Sequence, residues 1–375
     1  MLKIFVTGDN HIGRKYNGHA QAAVLASKRI TAFEEMVKTA NQEKCALFVI
    51  TGDLFENTYG VSKKEIKILL DMLSGFNGTV VVLPGNHDYY DKDVKVWQYF
   101  EDVMTSYDNI LLLTDYRPYA LSVDDEDVVL YPALCTSLHS EPGQNNLGWI
   151  KETEIENNGA YHIGIAHGAV EGETIDNEGR YFLMERAELE SIPVDVWLIG
   201  HTHVPFPRYL TEEFAAGEKI FNAGTHVQTD VSCNTEGQCF VVEIDENKTV
   251  RAKKIVSGNL RFYRKHIAVT ADEMETVVNR ELADIDDNSV VDVVLSGTVS
   301  AEEYGDRHRV MERALSRFVE GKYNDSALSK RISQELIASE FPETSFSAGL
   351  LTALLDDPKE AHLTYELLKS LKEGK

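Results

Sequence analysis

Apolar and polar positions follow two rhythms in the first third of this chain. Leu2–Thr7, Ala46–Thr51 and Thr79–Leu83 are nearly unbroken apolar runs. A strand apolar at every position has to be covered on both faces, as in a parallel sheet. Between these runs the repeat lengthens to 3.6 residues. Leu25, Phe33, Met36 and Val37 fall on one face of a helix over 20–42, and a second helix is predicted over 62–73. Strand, helix, strand, helix is the pattern of a doubly wound α/β sheet. From Ile110 the rhythm shortens. Residues 110–113, 120–123, 128–131, 162–166 and 196–199 read as brief strands, and Asp124–Asp127 as a hairpin tip, because four adjacent carboxylates repel one another anywhere drier. Residues 220–222, 240–244 and 249–255 are expected to complete a second, more antiparallel set. The fold class read from this pattern is α/β, a two-sheet sandwich flanked by helices.

Beyond Thr270 the character changes again. Thr270-Ala271-Asp272-Glu273 and Ser300-Ala301-Glu302-Glu303 have the form of capping boxes opening helices. A strand is predicted over 290–295 and helices near 328–340, 347–355 and 358–372. This is the pattern of a smaller C-terminal α+β domain, which divides the chain into 1–265 and 266–375.

Composition narrows the reading. The 375 residues are 43% hydrophobic, as expected of a globular protein with a large core. No apolar run is long enough to span a bilayer and no signal peptide is read, so no membrane association is expected and the cytoplasm is the expected location. The four cysteines, Cys45, Cys135, Cys233 and Cys239, are scattered and expected to be reduced. A net charge of −24 opposes nonspecific adhesion to nucleic acid, although cations held at a site would offset part of it. One local reversal stands out. Arg251, Lys253, Lys254, Arg261, Arg264 and Lys265 lie in a stretch without Asp or Glu and form either a solvated strand pair, the favoured reading, or a candidate substrate-contact strip.

The chemistry sits where the apolar runs end. Asp9-Asn10-His11, Gly52-Asp53, Gly85-Asn86-His87-Asp88, His167-Gly168 and Gly200-His201-Thr202-His203 each follow a predicted strand. Strand ends in an α/β sheet converge on one edge, so these groups can meet. Two divalent ions about 3.5–4 Å apart need a bridging carboxylate and several terminal ligands. Asp53 is the natural bridge. Asp9, His11 and His203 suit one ion, and Asn86, His167 and His201 the other. Imidazole, carboxylate and carboxamide together suit Mn2+ or Fe, with Zn as a further alternative. His87 is the candidate general acid, and Asp88 is a candidate to orient it or to brace its loop. Tyr89 and Tyr90 follow directly and are placed to stack on a base or to cap the loop. His226 is a candidate for a supporting role.

In this order the motifs resemble the calcineurin-like metallophosphoesterase superfamily. Asp9-Asn10-His11-Ile12-Gly13 and Gly52-Asp53-Leu54-Phe55 are similar to the SbcD-type DNA-repair exonucleases, and the C-terminal part resembles that family's cap domain. The resemblance implies the metallophosphoesterase sandwich and a Mn-dependent nuclease acting on DNA ends. It also implies a homodimer and an SbcC-like coiled-coil ATPase partner. For the dimer surface it points to the helices over 61–73 and 94–104. Glu56 departs from the His or Asp common at that position. Two other functions are compatible with the residues: a phosphoesterase for small substrates such as cyclic nucleotides or phosphomonoesters, and a metal-bound scaffold for a partner ATPase.

Overall fold

The computed structural model describes residues 1–172, 179–208, 215–233 and 235–372. The chain divides into two compact units, Met1–Arg261 and Phe262–Lys375.

The first unit begins with β1 (Leu2–Thr7), α1 (Ala22–Gln42), β2 (Leu47–Ile50), α2 (Lys63–Leu73), β3 (Thr79–Val82), α3 (Lys95–Met104) and β4 (Ile110–Leu112). It continues with β5 (Tyr119–Val123), β6 (Glu126–Ala133), α4 (Gly148–Lys151), β7 (Tyr161–His167), α5 (Arg186–Ser191) and β8 (Val196–Gly200). It closes with β9 (Ala215–Ala216), β10 (Ile220–Asn222), β11 (Gln238–Ile244) and β12 (Val250–Val256). One sheet has the order β4-β3-β2-β1-β11-β12-β9 and the other β10-β8-β7-β6-β5.

Alternation along the buried strands explains the layers. Ile4 and Val6 of β1 and Leu47 and Val49 of β2 point into the core between the sheets, where they join Ile163, Ile165, Leu198 and Phe221. The intervening Phe5, Phe48 and Ile50 point the other way, against Phe33 and Met36 of α1, Ile66 and Leu70 of α2, and Trp97 and Phe100 of α3. The outer face of the second sheet is covered by a cluster containing Ile150 and Leu189. Trp97 and Phe100 are thus core residues. Residues 124 and 125 form the tip of the β5–β6 hairpin, both at positive φ.

Two expectations are corrected here. β11 and β12 do not join the second sheet. β11 pairs antiparallel with β1, Ile4 opposite Val242, and β12 pairs with β11. The open side of β1 needs a partner for its backbone, and β11 supplies it. The second sheet is instead mostly parallel, β10-β8-β7-β6, with β5 as its antiparallel edge. All four cysteines are unpaired.

The second unit carries β13 (Arg261–Val269), α6 (Met274–Leu282), β14 (Ser289–Val299), α7 (Ala301–Leu315), β15 (Glu320–Lys330), α8 (Gln334–Glu340), α9 (Phe346–Ala353) and α10 (Pro358–Lys372). β13, β14 and β15 form a sheet, and its apolar side packs on Val278 of α6 and Met311 of α7. The Ser300–Glu303 capping box is present. The Thr270–Glu273 pair bonds side chain to side chain, but α6 starts at Met274, because the Glu303 carboxylate takes the N–H groups of Asp272 and Met274. The helix expected from 328 begins at Gln334, since β15 runs on to Lys330, paired in parallel with β14. Among the described residues no helix is long and apolar enough to cross a membrane.

Candidate metal centre

The parallel register of β1, β2 and β3 sets Thr7, Ile50 and Val82 at one edge of the first sheet. His167 and Gly200 occupy the same position in the second. The loops that follow are tied to each other. The N–H groups of Asp9 and His11 donate to the carbonyls of Gly52 and Asp53 at 3.1 and 2.9 Å, and Gly8 bridges to Thr225. Asp9, His11 and Asp53 all have φ near +50°, and His201 has φ +120°. Non-glycine residues at such angles persist only where surrounding contacts hold them, and such strain gathers at functional sites. Gly85 shows how tightly the loops approach: a Cβ there would lie 2.2 Å from Asp53 Oδ1.

Two groups of ligand atoms lie within 4.8 Å of one another: Asp9, His11 and His203, and Asp9, Asp53 and His167. Asp9 stands in both. Asp53 also faces both ways, with Oδ1 3.3 Å from His167 Nε2 and Oδ2 3.9 Å from His11 Nε2. The Asn86 carboxamide oxygen lies 3.0 Å from His167 Nε2 and 3.1 Å from His201 Nδ1. The His201 N–H donates to both oxygens of Asp9 at 3.1 Å. All seven residues singled out as ligands therefore meet in one nest, and Asp9, His11, Asp53, Asn86 and His167 are buried.

The electrostatics of this nest suit cations. Burial raises the Asp9 carboxyl well above its usual range, against the opposing pull of His167. Burial would raise Asp53 too, but the facing His167 overcomes it and holds Asp53 well below the usual carboxylate range. Burial would likewise lower His167, yet Asp53 and then Asp9 raise it to about 9. His203 is pushed down to about 3 by burial and then by the positive charge of His11 and Arg29. Carboxylates and imidazoles crowded together in a buried site shift one another in this way, and divalent ions would relieve that crowding by binding their deprotonated forms. His11 Nε2 and His203 Nε2 face each other at 2.9 Å, a contact in which the tautomers decide donor and acceptor and in which both nitrogens, once deprotonated, could turn to one cation. The donor set fits a two-ion centre.

His87 lies exposed at the rim. Its N–H donates to Asp53 Oδ1 at 2.9 Å, and its ring Nδ1 lies 3.1 Å from the Glu56 carbonyl. A carbonyl only accepts, so Nδ1 carries hydrogen and Nε2 is the atom left for chemistry. Asp88 does not touch this ring. Its carboxylate accepts from the N–H groups of Phe55 at 2.9 Å and Gly85 at 2.6 Å, which braces the loop. Burial, then the charge of Asp53, pushes Asp88 up to about 7.

Three supporting residues were not marked for that role by any motif. Glu56 Oε2 lies 3.2 Å from His11 Nδ1, so a carboxylate stands behind a candidate ligand. Arg29 is 1% exposed and donates to the Asn10 carbonyl at 2.6 Å, Thr225 Oγ1 at 2.9 Å and the Val227 carbonyl at 3.1 Å. Its signal was a charge on the apolar face of α1, four residues from both Leu25 and Phe33. Thr225 in turn donates to the Asp9 carbonyl at 3.0 Å. His226, suspected of a supporting role, accepts from Asn10 Nδ2 at Nδ1 and donates to the Arg29 carbonyl from Nε2 at 2.9 Å.

The basic strip is otherwise engaged. Arg251 pairs with Glu243 at 3.5 Å, Lys253 with Glu43 at 2.6 Å and Lys254 with Glu236 at 2.6 Å. Arg261 reaches Glu236 at 3.6 Å, Arg264 pairs with Asp292 at 2.7 Å, and Lys265 sits on β13 of the second unit. The carboxylates missing from the stretch itself arrive from neighbouring elements. Tyr89 is half-buried and its carbonyl receives the Trp97 indole N–H at 3.1 Å, while the Tyr90 hydroxyl donates to Glu101 at 3.0 Å.

Among solved structures, a dimetal phosphatase from Danio rerio aligns at 10% identity and a TM-score of 0.39, covering 69% of this chain and 99% of its own. A purple acid phosphatase from yellow lupin (Lupinus luteus) seeds aligns at 10% identity and 0.39, covering 68% of this chain and 49% of its own. No curated protein sequence matches. The family model for calcineurin-like phosphoesterases matches residues 2–205, more than half of the chain and the span that carries every candidate ligand. The chain therefore belongs to the calcineurin-like phosphoesterase family.

Proposed function

We propose that this chain is a metal-dependent phosphodiesterase that cleaves DNA at or near ends, of the SbcD type, and that it works with manganese. The observation that carries the hydrolytic reading is the exposed His87 ring on the rim of the ligand nest, held by its main chain to Asp53 and by Nδ1 to Glu56. Asp9, His11 and His203 would hold one ion, and Asn86, His167 and His201 the other, with Asp53 between them. When bound, such ions polarise a phosphoryl group and make water acidic enough to attack it. The protein's own part is to place the phosphoester beneath His87 and to return a proton. With Nδ1–H fixed on the Glu56 carbonyl, the imidazolium presents Nε2–H outward, where it can protonate the departing oxygen. Asp88 keeps the turn at Gly85 in place, which fixes both Asn86 and His87.

The DNA reading draws on the Asp9–Gly13 and Gly52–Phe55 motifs and on a separate α+β second unit. A homodimer through α2 and α3 is supported by Ile68 and Tyr99, apolar side chains those helices leave exposed. An SbcC-like coiled-coil ATPase is the proposed partner. Leu363, Leu367 and Leu371 form an exposed stripe at four-residue spacing on α10, the apolar face that a helical partner takes up. The test is a manganese-dependent assay comparing linear DNA with nitrophenyl phosphate. Degradation of DNA supports the reading; hydrolysis of the small ester alone points to a small-substrate phosphoesterase, a role the net charge of −24 favours. Inertness toward both would leave the scaffold role.

A further inference from the structure

Two adjoining cavities open beside the His11 and His203 side of the nest. The first, about 530 Å³, is lined by His203 itself, with Arg14, Arg208 and Asp230. The second, about 460 Å³, is lined by Arg14, Lys15, Glu56, Tyr59 and Asp230. Arg14 and Asp230 belong to both, so the cavities share a wall. Glu56 ties the second cavity to the nest through its contact with His11. Each is large enough for one nucleotide.

The second cavity has an aromatic rim. Tyr59 is 73% exposed, the most exposed aromatic ring among the described residues of the first unit. Among the described residues its N–H is held on Asn57 Oδ1 at 3.0 Å. An aromatic face held out in water at the mouth of a cavity is available to stack a planar group such as a base, which an alkyl phosphomonoester lacks. Arg14 supplies the matching charge. Its guanidinium lies 3.5 Å from Glu56 and 3.6 Å from Asp230, distances beyond those of good hydrogen bonds, and 5.9 Å from the Tyr16 ring centroid, so turning toward a phosphate gives up two long ion pairs and one ring contact. Arg14 and Lys15 are balanced by Glu56 and Asp230 within this cavity. Electrostatic attraction there is consequently modest, and stacking has to carry a large share of the binding.

We propose that these cavities form a subsite for an unpaired nucleotide next to the scissile phosphate, with Tyr59 stacking its base and Arg14 and Arg208 contacting the flanking phosphates. This rests on the nuclease reading above and deepens it. A base inside a duplex already has both faces covered, so a base on Tyr59 has left the stack. The preferred substrate is then a single-stranded or frayed end, and the contact surface is this groove and not the Arg251–Lys265 strip.

The test uses the full chain with Mn2+ and three substrates: a single-stranded oligonucleotide, the same sequence as a blunt duplex, and nitrophenyl phosphate. The wild type is expected to prefer the single strand. Y59A is expected to raise KM for it about tenfold with a smaller change in kcat, and Y59F to restore it, since phenyl stacks as well. R14Q is expected to lower the ratio of oligonucleotide to small-ester kcat/KM at least fivefold and to flatten the salt dependence by about one charge. Oligonucleotide cleavage with Y59A and R14Q indistinguishable from wild type overturns the subsite and leaves the nuclease reading standing. A wild type that cleaves nitrophenyl phosphate and no oligonucleotide overturns the nuclease reading itself, and the subsite with it. A preference for blunt duplex that Y59A does not alter also overturns the subsite.

Discussion

Replacing Arg29 by methionine removes the brace behind the first loop of candidate metal ligands while keeping most of the packing of the side-chain stem. The guanidinium makes four contacts within 3.2 Å: the Asn10 carbonyl, Thr225 Oγ1, the Val227 carbonyl and the Tyr16 hydroxyl. Hydrogen bonds to a charged group are worth roughly 1.5–3 kcal/mol each. Not all of that is lost. The Thr225 hydroxyl, which otherwise donates to the Asp9 carbonyl, can turn its one hydrogen to the Val227 carbonyl at 2.9 Å, and the cost of burying the charge disappears with the guanidinium. A net loss of about 3 kcal/mol follows, comparable to breaking a buried charge pair. For a unit of this size that lowers the melting temperature by roughly 10 °C. The damage also reaches function, because Asp9 and His11 sit at positive φ and lose part of what holds them there. Manganese affinity is expected to fall about 10–100-fold, as when a ligand's support is removed. R29K keeps the charge without the planar fork and should lie between the two. Thermal unfolding by circular dichroism and manganese titration by calorimetry read the two effects. An R29M protein that melts within about 2 °C of wild type and binds manganese equally well would show that Arg29 is not the brace described.

Other outcomes follow from the same contacts. H87A is expected to lose about 10²–10⁴-fold in kcat while retaining metal affinity, because the bond to Asp53 comes from the main chain; equal kcat in a steady-state assay would remove His87 from the chemistry. E56Q is expected to weaken metal binding about tenfold by loosening His11, measured by calorimetric titration, with unchanged affinity as the contrary result. G85A puts a methyl 2.2 Å from Asp53 Oδ1 and against the Asp53 N–H, so it should abolish metal binding; a metal-binding G85A protein would mean that the two loops are not so closely opposed. His226 is fully buried, and burial followed by the charge of Arg29 holds it well below its ordinary value of 6.5. The unfolded chain then takes up a proton that the folded one does not. Stability from this group is therefore complete above pH 6.5 and is lost as pH falls toward the depressed folded value. Denaturant unfolding of metal-free protein should show that decline, and H226Q should flatten it.

Much of the architecture could be read directly from the chain because it follows from local physics. Unbroken apolar runs mark strands covered on both faces, and a 3.6-residue repeat marks helices with one buried face. Glycine followed by a ligand type at a strand end marks a loop that must turn sharply. The meeting of the seven candidate ligands was legible for the same reason: each sits within a few residues of a strand end, and parallel strands bring their ends to one edge. What stayed hidden depends on partners distant in the chain. Whether β11 pairs with β1 or joins the second sheet is decided by which strand edge lacks a partner, and no local pattern records that. The basic run at Arg251–Lys265 looks like a free patch until Glu43, Glu236, Glu243 and Asp292 arrive from elsewhere to neutralise it. Arg29 reads as a misplaced charge until the carbonyls of Asn10 and Val227 close around it, and Glu56 reads as a departure from a family pattern until His11 and His87 are seen against it. Sequence determined the elements and the chemical inventory, since those depend on neighbours along the chain. Only the tertiary structure decided which charges are paired, which nitrogen of His87 is available and which face of the nest opens to solvent, because each is a property of groups brought together by folding.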